Sequence, residues 1–266
     1  MRLLPFFASA LLYLLLTLPL WRGLGLDERG RRLFLAIGGV ALAAHVLSLY
    51  ADARAAGGVH LHFFAALNWV SAAMVAALLI AVAFRPIERL SLVLFPIAIG
   101  ALMLEALWGA PLGPGAALND WRIALHAALA LSAFASLALA ALVAIMLSIQ
   151  DRALRARRFQ PWLRGIPPLT QVEALLFQLI AIGFALLCFT LLTGVMFVHD
   201  LFAQHLVHKT VLAIAAWLVL GVLLIGRWRF GWRGRRAIRL VLTGVTLLLF
   251  AYLGSKFVLE LILHRA

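Results

Sequence analysis

The chain has 266 residues, 65% of them hydrophobic and only 12% charged, with a mean hydropathy of +1.07. Soluble domains run at about 25% charged, so a water-soluble globular enzyme is excluded. A disordered chain is excluded too, because it needs low hydrophobicity. The formal charge of +13 would suit nucleic acid if it were concentrated on one surface. Instead the basic residues lie in short segments between long apolar runs, the pattern by which loops encode membrane topology. The composition therefore predicts an all-α polytopic membrane protein that contacts lipid and no nucleic acid.

A run of about 20 apolar residues crosses a bilayer as a helix, whereas open strands would leave unpaired backbone groups in lipid. Eight runs qualify, at approximately 3–21, 33–50, 63–84, 88–107, 123–149, 172–197, 206–226 and 238–262. They predict one integral membrane domain over residues 1–266. A weak division falls between spans four and five, without a convincing internal repeat. The first run has no small-residue cleavage site after it. It leads into Trp21, Arg22 and then Asp27-Glu28-Arg29-Gly30-Arg31-Arg32, so it reads as a retained span and not as a signal peptide. The fifth run is long enough to tilt or to project into water.

Of the 23 basic residues 21 are arginines, and 17 basic residues fall in the loops after spans one, three, five and seven. The positive-inside rule places those loops in the cytoplasm and both termini on the outer side. Trp21, Trp162, Trp228 and Trp232 then fall at the inner interface, and Trp108 and Trp121 at the outer one, as aromatic belts do. Trp69 and Trp217 lie within spans and read as core packing.

The eight histidines, at 45, 60, 62, 126, 199, 205, 208 and 264, all fall on the outer side of this topology. Topology was set by arginine, so the asymmetry is an independent observation. Neutral imidazole is the commonest metal ligand, and two imidazoles hold haem iron axially. The plain alternative is that an interfacial histidine merely meets water. For His60 and His62, in a glycine-rich loop, that reading is the stronger. His126 and His208 each open a helix that dips into the membrane, and a helix holds a ring more rigidly than a loop. His45 lies near the outer end of span two. Arg122, Lys209 and Lys256 are cations on the same side, suited to the propionates of a haem.

A charge in lipid costs about 2.5–3.5 kcal/mol on insertion scales, so Glu105, Lys256 and Glu260 call for partners. Lys256, Glu260 and His264 stand at i, i+4 and i+8 on one face of span eight. They read either as a helix ion pair or as a group that orients His264. Glu173 fits a Thr170-x-x-Glu173 capping box. Asn68, Ser71, Thr190 and Thr193 read as interhelical hydrogen-bonding residues, worth about 0.6 kcal/mol each. Cys188 is the single cysteine, so no internal disulfide, CxxC pair or covalent C-x-x-C-H haem attachment exists within the chain.

Several stretches form a family pattern. They are His208-Lys209-Thr210, Ala215-Ala216-Trp217-Leu218-Val219, the run Gly226-Arg227-Trp228-Arg229-Phe230-Gly231-Trp232-Arg233-Gly234-Arg235-Arg236-Ala237, and Tyr252-Leu253-Gly254-Ser255-Lys256-Phe257-Val258. Leu125-His126, Pro167-Pro168-Leu169 with Glu173 and Leu176-Phe177, Arg85-Pro86-Ile87-Glu88 and Leu94-Phe95-Pro96 add to it. Over roughly residues 33–262 the chain resembles the cytochrome c assembly (CcsA/ResC/HemX-like) membrane family. That resemblance implies haem handling at the outer face, with non-covalent haem held by two external histidines. The first corresponds to His126. The second, just after the last span, corresponds to His264.

Two departures stand out. The family's outer loop W-G-x-x-W-x-W-D-P-K-E-T is matched here by 197–210, without a tryptophan, and its buried histidine at the end of span seven is replaced by Gly226. Thioether synthesis is therefore not expected, and an accessory role in haem handling or cytochrome assembly is. His208 is then a candidate substitute ligand. The expected haem and iron ligands are His126, His208 and His264, with His45, Lys256 and Arg122 as further cofactor contacts and haem-accepting or other membrane proteins as partners. The alternatives are a membrane scaffold or regulator without haem, and a small-solute transporter. The transporter would need a polar midplane site, for which the spans offer little beyond Asn68, Thr190 and Thr193.

Overall fold

A computed structural model describes residues 3–22, 26–55, 57–59, 61–109, 120–156, 168–197 and 207–254. Every regular element among them is helical: α1 (Leu3–Trp21), α2 (Glu28–Ala55), α3 (Phe63–Phe84), α4 (Ser91–Trp108), α5 (Trp121–Arg155), α6 (Leu169–Phe197), α7 (Val207–Phe230) and α8 (Gly234–Leu249). A 3₁₀ turn, Glu88–Leu90, leads into α4, and a π-helical turn, Phe250–Gly254, continues α8. Seven of these helices are long and apolar enough to cross a membrane. The protein is all-α and polytopic, as its composition dictates. The eighth run begins as α8, and its remainder lies outside the described residues.

Helices outrun the apolar stretches that announced them. The second run, 33–50, is embedded in a helix of 28 residues, with Glu28 in its first turn and Arg54 in its last. Both charges suit the helix dipole, and backbone hydrogen bonding has no reason to stop where hydropathy does. Helix α5 has 35 residues, about 52 Å at 1.5 Å per residue, against a hydrocarbon core of about 30 Å.

The chain divides into two compact units, Met1–Ala117 with Ala153–Pro168, and Leu118–Arg152 with Leu169–Ala266. In the first unit α1 packs on α2, α2 on α3, α3 on α4, and α4 returns to α1. The centre of this four-helix bundle is aromatic. Tyr13 stacks on Phe95 at 4.8 Å between ring centroids, and Phe34 stacks on Phe95 at 5.9 Å. Helices α2 and α3 approach closely at Gly38, where an added Cβ would stand 2.7 Å from Leu79 Cδ2. Small residues at such crossings let backbones come together where lipid offers no hydrophobic drive between helices.

Beside that core lies a buried polar chain. His45 Nε2 donates to Asn68 Oδ1 at 2.8 Å, so its Nδ1 is the acceptor for Tyr13 Oη at 3.3 Å. All three side chains are buried. We expect Asn68→Ala to destabilise the unit by about 1–3 kcal/mol, because it strands the His45 N–H in an apolar interior. Ser71→Ala is the matched comparison. Its hydroxyl bonds only the Asn68 carbonyl of its own helix, and its loss changes stability little. Unfolding in mixed detergent and sodium dodecyl sulfate micelles measures both.

In the second unit α6 packs on α7 and α7 on α8. Helix α5 meets α6 at Gly183, where a Cβ would stand 2.5 Å from Leu137 Cγ, and Ser136 Oγ donates to the Leu179 carbonyl at 3.0 Å. Trp217 stacks on Phe184 at 5.9 Å and its indole N–H points to Cys188 Sγ at 3.1 Å. The apolar stripe of α8 (Ala237, Ile238, Val241, Gly244, Val245 and Leu248) is buried, with Leu220 of α7 against Gly244.

Candidate haem-ligand site around His126

Asp120 starts α5. Its carboxylate accepts the Arg122 N–H at 2.8 Å and its carbonyl accepts the Ala124 N–H at 2.9 Å, which is how a capping aspartate satisfies a first helical turn. His126 therefore sits in the second turn of a capped helix. Trp121 meets Phe197 of α6 edge-on at 6.0 Å, and the Arg122 guanidinium lies 5.8 Å from the Trp121 ring.

The imidazole of His126 is seated on α6. Its Nδ1 lies 3.1 Å from Thr193 Oγ1. The Thr193 hydroxyl proton is directed to a carbonyl of its own helix, Phe189 O at 2.9 Å or Thr190 O at 3.0 Å. Thr193 Oγ1 must then accept, so His126 Nδ1 carries the proton and Nε2 keeps its lone pair. Gly194 makes room for the ring, because a Cβ there would stand 3.3 Å from His126 Cε1. The Thr190 carbonyl is a second acceptor on α6 for the imidazole N–H, and among the described residues no donor is directed at Nε2. A half-buried imidazole with its Nδ1–H anchored and its Nε2 open has the form of a metal-ligating histidine, whose second nitrogen is almost always fixed by such an outer bond.

The other expected ligands fare differently. His208 lies in the first turn of α7 with its side chain exposed. His264 and Lys256 lie outside the described residues, as do His60, His199, His205 and Glu260. His45 is in the first unit, with both ring nitrogens engaged by Tyr13 and Asn68. Arg122 is exposed beside Trp121. Among the described residues no three His, Cys, Asp or Glu side chains converge as a metal site.

Glu105 finds the partner that its place in a span calls for. His62 caps α3, its Nδ1 accepting the Ala65 N–H at 3.3 Å. Its Nε2–H therefore faces Glu105 Oε1, at 3.2 Å. Neither nitrogen is left for a metal.

At the far end of α7 the space beside Gly226 is filled. A Cβ at Gly226 would lie 2.2 Å from Trp232 Cε3, so the indole occupies the place of any side chain there. Gly231, with φ +65°, ends α7 in a left-handed cap that bonds back to the Arg227 carbonyl at 3.1 Å, a conformation glycine adopts without penalty. Trp232 N–H reaches the Gly226 carbonyl at 3.2 Å. Arg227 donates to Glu173 Oε1 at 2.8 Å and lies 4.4 Å from the Phe177 ring centroid. Glu173 is thus the acidic anchor of the α7–α8 turn, where the Thr170-x-x-Glu173 spacing had suggested a capping box.

Thr193, Gly194 and Trp232 were not singled out in these roles from sequence. A threonine one turn from a helix end beside a glycine is a faint signal of a seat for a ring. Its meaning depends on which helix faces it.

The chain matches the cytochrome C assembly protein family over residues 34–263. It is similar to the inner membrane protein YpjD of Escherichia coli strain K12, with 39% identity over 137 residues, 52% of each chain. The match thus spans about half the length of that curated relative. An "Uncharacterized 28.8 kDa protein in nifR3-like 5'region" of Azospirillum brasilense is 35% identical over 221 residues, 80% of this chain and 81% of that one. No solved structure matches the chain. With its apolar helices and its inner-membrane relative, the chain is a multi-pass protein of a bacterial inner membrane. Matched over most of its length, it belongs to the cytochrome c assembly protein family.

Proposed function

We propose that this protein handles haem at the outer face of the inner membrane through a site built on His126, and that it is an accessory to cytochrome assembly, not a thioether-forming synthase. One observation carries the reading: His126 presents an open Nε2 while Thr193 Oγ1 holds its Nδ1–H. Bound haem would supply an iron whose axial positions take imidazole nitrogen. His126 would hold one of them. His208 and His264 are the proposed sources of the second ligand, and Arg122 and Lys256 the proposed propionate partners. His45, with both its ring nitrogens in use, is left out of the proposed ligand set.

The accessory role rests on two features of this chain. The 197–210 segment has no tryptophan, and the position of the family's buried histidine at the end of span seven is Gly226, with Trp232 in the space beside it. No imidazole is available there to hold haem near the arginine-rich side. The outer face is the side opposite those arginine loops, as the positive-inside rule places it.

The test is the absorption spectrum of the detergent-purified protein, oxidised and reduced, from cells supplied with haem precursor. A Soret band with sharp reduced bands at near one haem per chain is the expected result. A colourless protein that also fails to take up added haem would sink the reading and leave a family scaffold without a cofactor.

A further inference from the structure

We infer that the α7–α8 turn is a binding site for the phosphate headgroup of an anionic phospholipid. The turn is basic beyond its own needs. Arg227 and Arg233 share Glu173, at 2.8 and 3.5 Å, and Arg235 is 3.8 Å from Asp151. Among the described residues, no acidic group pairs with Arg229, Arg236 or Arg239. All three are exposed. Their charge has been left uncompensated within a few residues of chain that already spends two carboxylates on its structural arginines.

The geometry fits a headgroup at the membrane surface better than a partner in bulk water. Trp228 is 87% exposed and Phe230 70% exposed, and both precede the turn at the end of a membrane-crossing helix. An indole in that position lies at headgroup depth. Phe230 stacks on Trp232 at 6.2 Å, and the Arg236 guanidinium lies 5.1 Å from the Trp232 ring centroid. Arg236 is therefore held at the aromatic surface while it stays exposed. Trp232 is itself seated against Gly226, and Arg227 donates to its carbonyl at 3.4 Å. The guanidinium is a planar, weakly hydrated fork that matches phosphate oxygens. Arg236 is fixed on the aromatic turn, and Arg229 at the end of α7 and Arg239 in α8 flank it on helices, where mobile loop arginines would make only a diffuse attraction.

The experiment titrates the full detergent-purified chain with phosphatidylglycerol or phosphatidylcholine from mixed micelles and reads bound lipid by native mass spectrometry. The wild type is expected to prefer phosphatidylglycerol, and inorganic phosphate is expected not to displace it. Each arginine near the surface is worth roughly fivefold in binding, so Arg229→Gln/Arg236→Gln/Arg239→Gln should lower phosphatidylglycerol affinity on the order of a hundredfold. The matching Arg→Lys triple keeps the charge and should stay within about tenfold of wild type, which separates lost binding from lost folding. The charge-matched control Arg29→Gln/Arg31→Gln/Arg32→Gln, in a different loop, should have little effect. Equal losses in the two Gln triples would overturn the site in favour of a diffuse charge effect. So would a wild type without preference for phosphatidylglycerol, or one that binds an acidic soluble protein through this turn instead.

Discussion

His126→Ala lowers haem affinity by a hundredfold or more, and the purified variant is nearly colourless. Removing one outer-shell partner of a metal-ligating histidine already costs about 10–100-fold, so loss of the ring itself sets a larger floor. Thr193→Val supplies the graded comparison. It removes the oxygen that accepts the Nδ1–H of His126 while keeping the β-branched shape. The ring then keeps only the Thr190 carbonyl as an acceptor on α6, and affinity falls about 10–100-fold. Thr193→Ser restores the acceptor and restores affinity. Difference spectra during haem titration measure all three. If Thr193→Val matched wild type while His126→Ala was colourless, the ligand would stand and its seat on α6 would be wrong.

The second large effect is structural and has an unexpected sign. Gly226 lies inside α7, four residues before its end. Helix propensity alone predicts that alanine there stabilises by up to about 1 kcal/mol. The added methyl meets the Trp232 ring at 2.2 Å, and a ring cannot yield as a flexible side chain tip does. We expect Gly226→Ala to destabilise by about 1–3 kcal/mol. Trp232→Ala vacates a half-buried ring and costs about 2 kcal/mol, below the range for a fully buried tryptophan. The double variant should cost no more than Trp232→Ala alone, because the methyl then has room. The cycle thus carries a coupling of about 1–3 kcal/mol, within the span seen for residues in contact. Additive losses would place the ring elsewhere. Gly226→His, which reinstates the family's histidine, should expel Trp232 and loosen the arginine turn with it.

Spans were legible because a bilayer demands length and hydropathy and little else. The predicted 63–84 coincides with α3, and 3–21 with α1. Ends were less legible where polar residues continue a helix, as Glu28–Arg32 does for α2 and Gln150–Arg155 for α5. His126 was legible as a candidate because it opens a span. Its quality as a ligand was not, since that depends on Thr193 and Gly194, 67 and 68 positions later. His45 read as a possible cofactor contact for the same reason as His126. What separates the two is which neighbouring helix brings a hydrogen-bond partner to the second nitrogen. Asn68 read as interhelical glue, and its bond to His45 is that. Ser71 read the same way, but its hydroxyl turns back onto its own helix.

The Tyr13–His45–Asn68 chain has a consequence for how the first bundle finds its alignment. Its helices are rich in alanine, leucine and valine, and one such surface packs on another nearly as well after sliding by a residue. Lipid gives no strong preference among those alternatives. Sliding α2 by one residue moves His45 about 1.5 Å along the axis and about 100° around it, which breaks both hydrogen bonds at once. Three polar side chains on three helices therefore act as a vernier. They set the depth and rotation of α1, α2 and α3 to a single match that the apolar surfaces alone leave nearly degenerate.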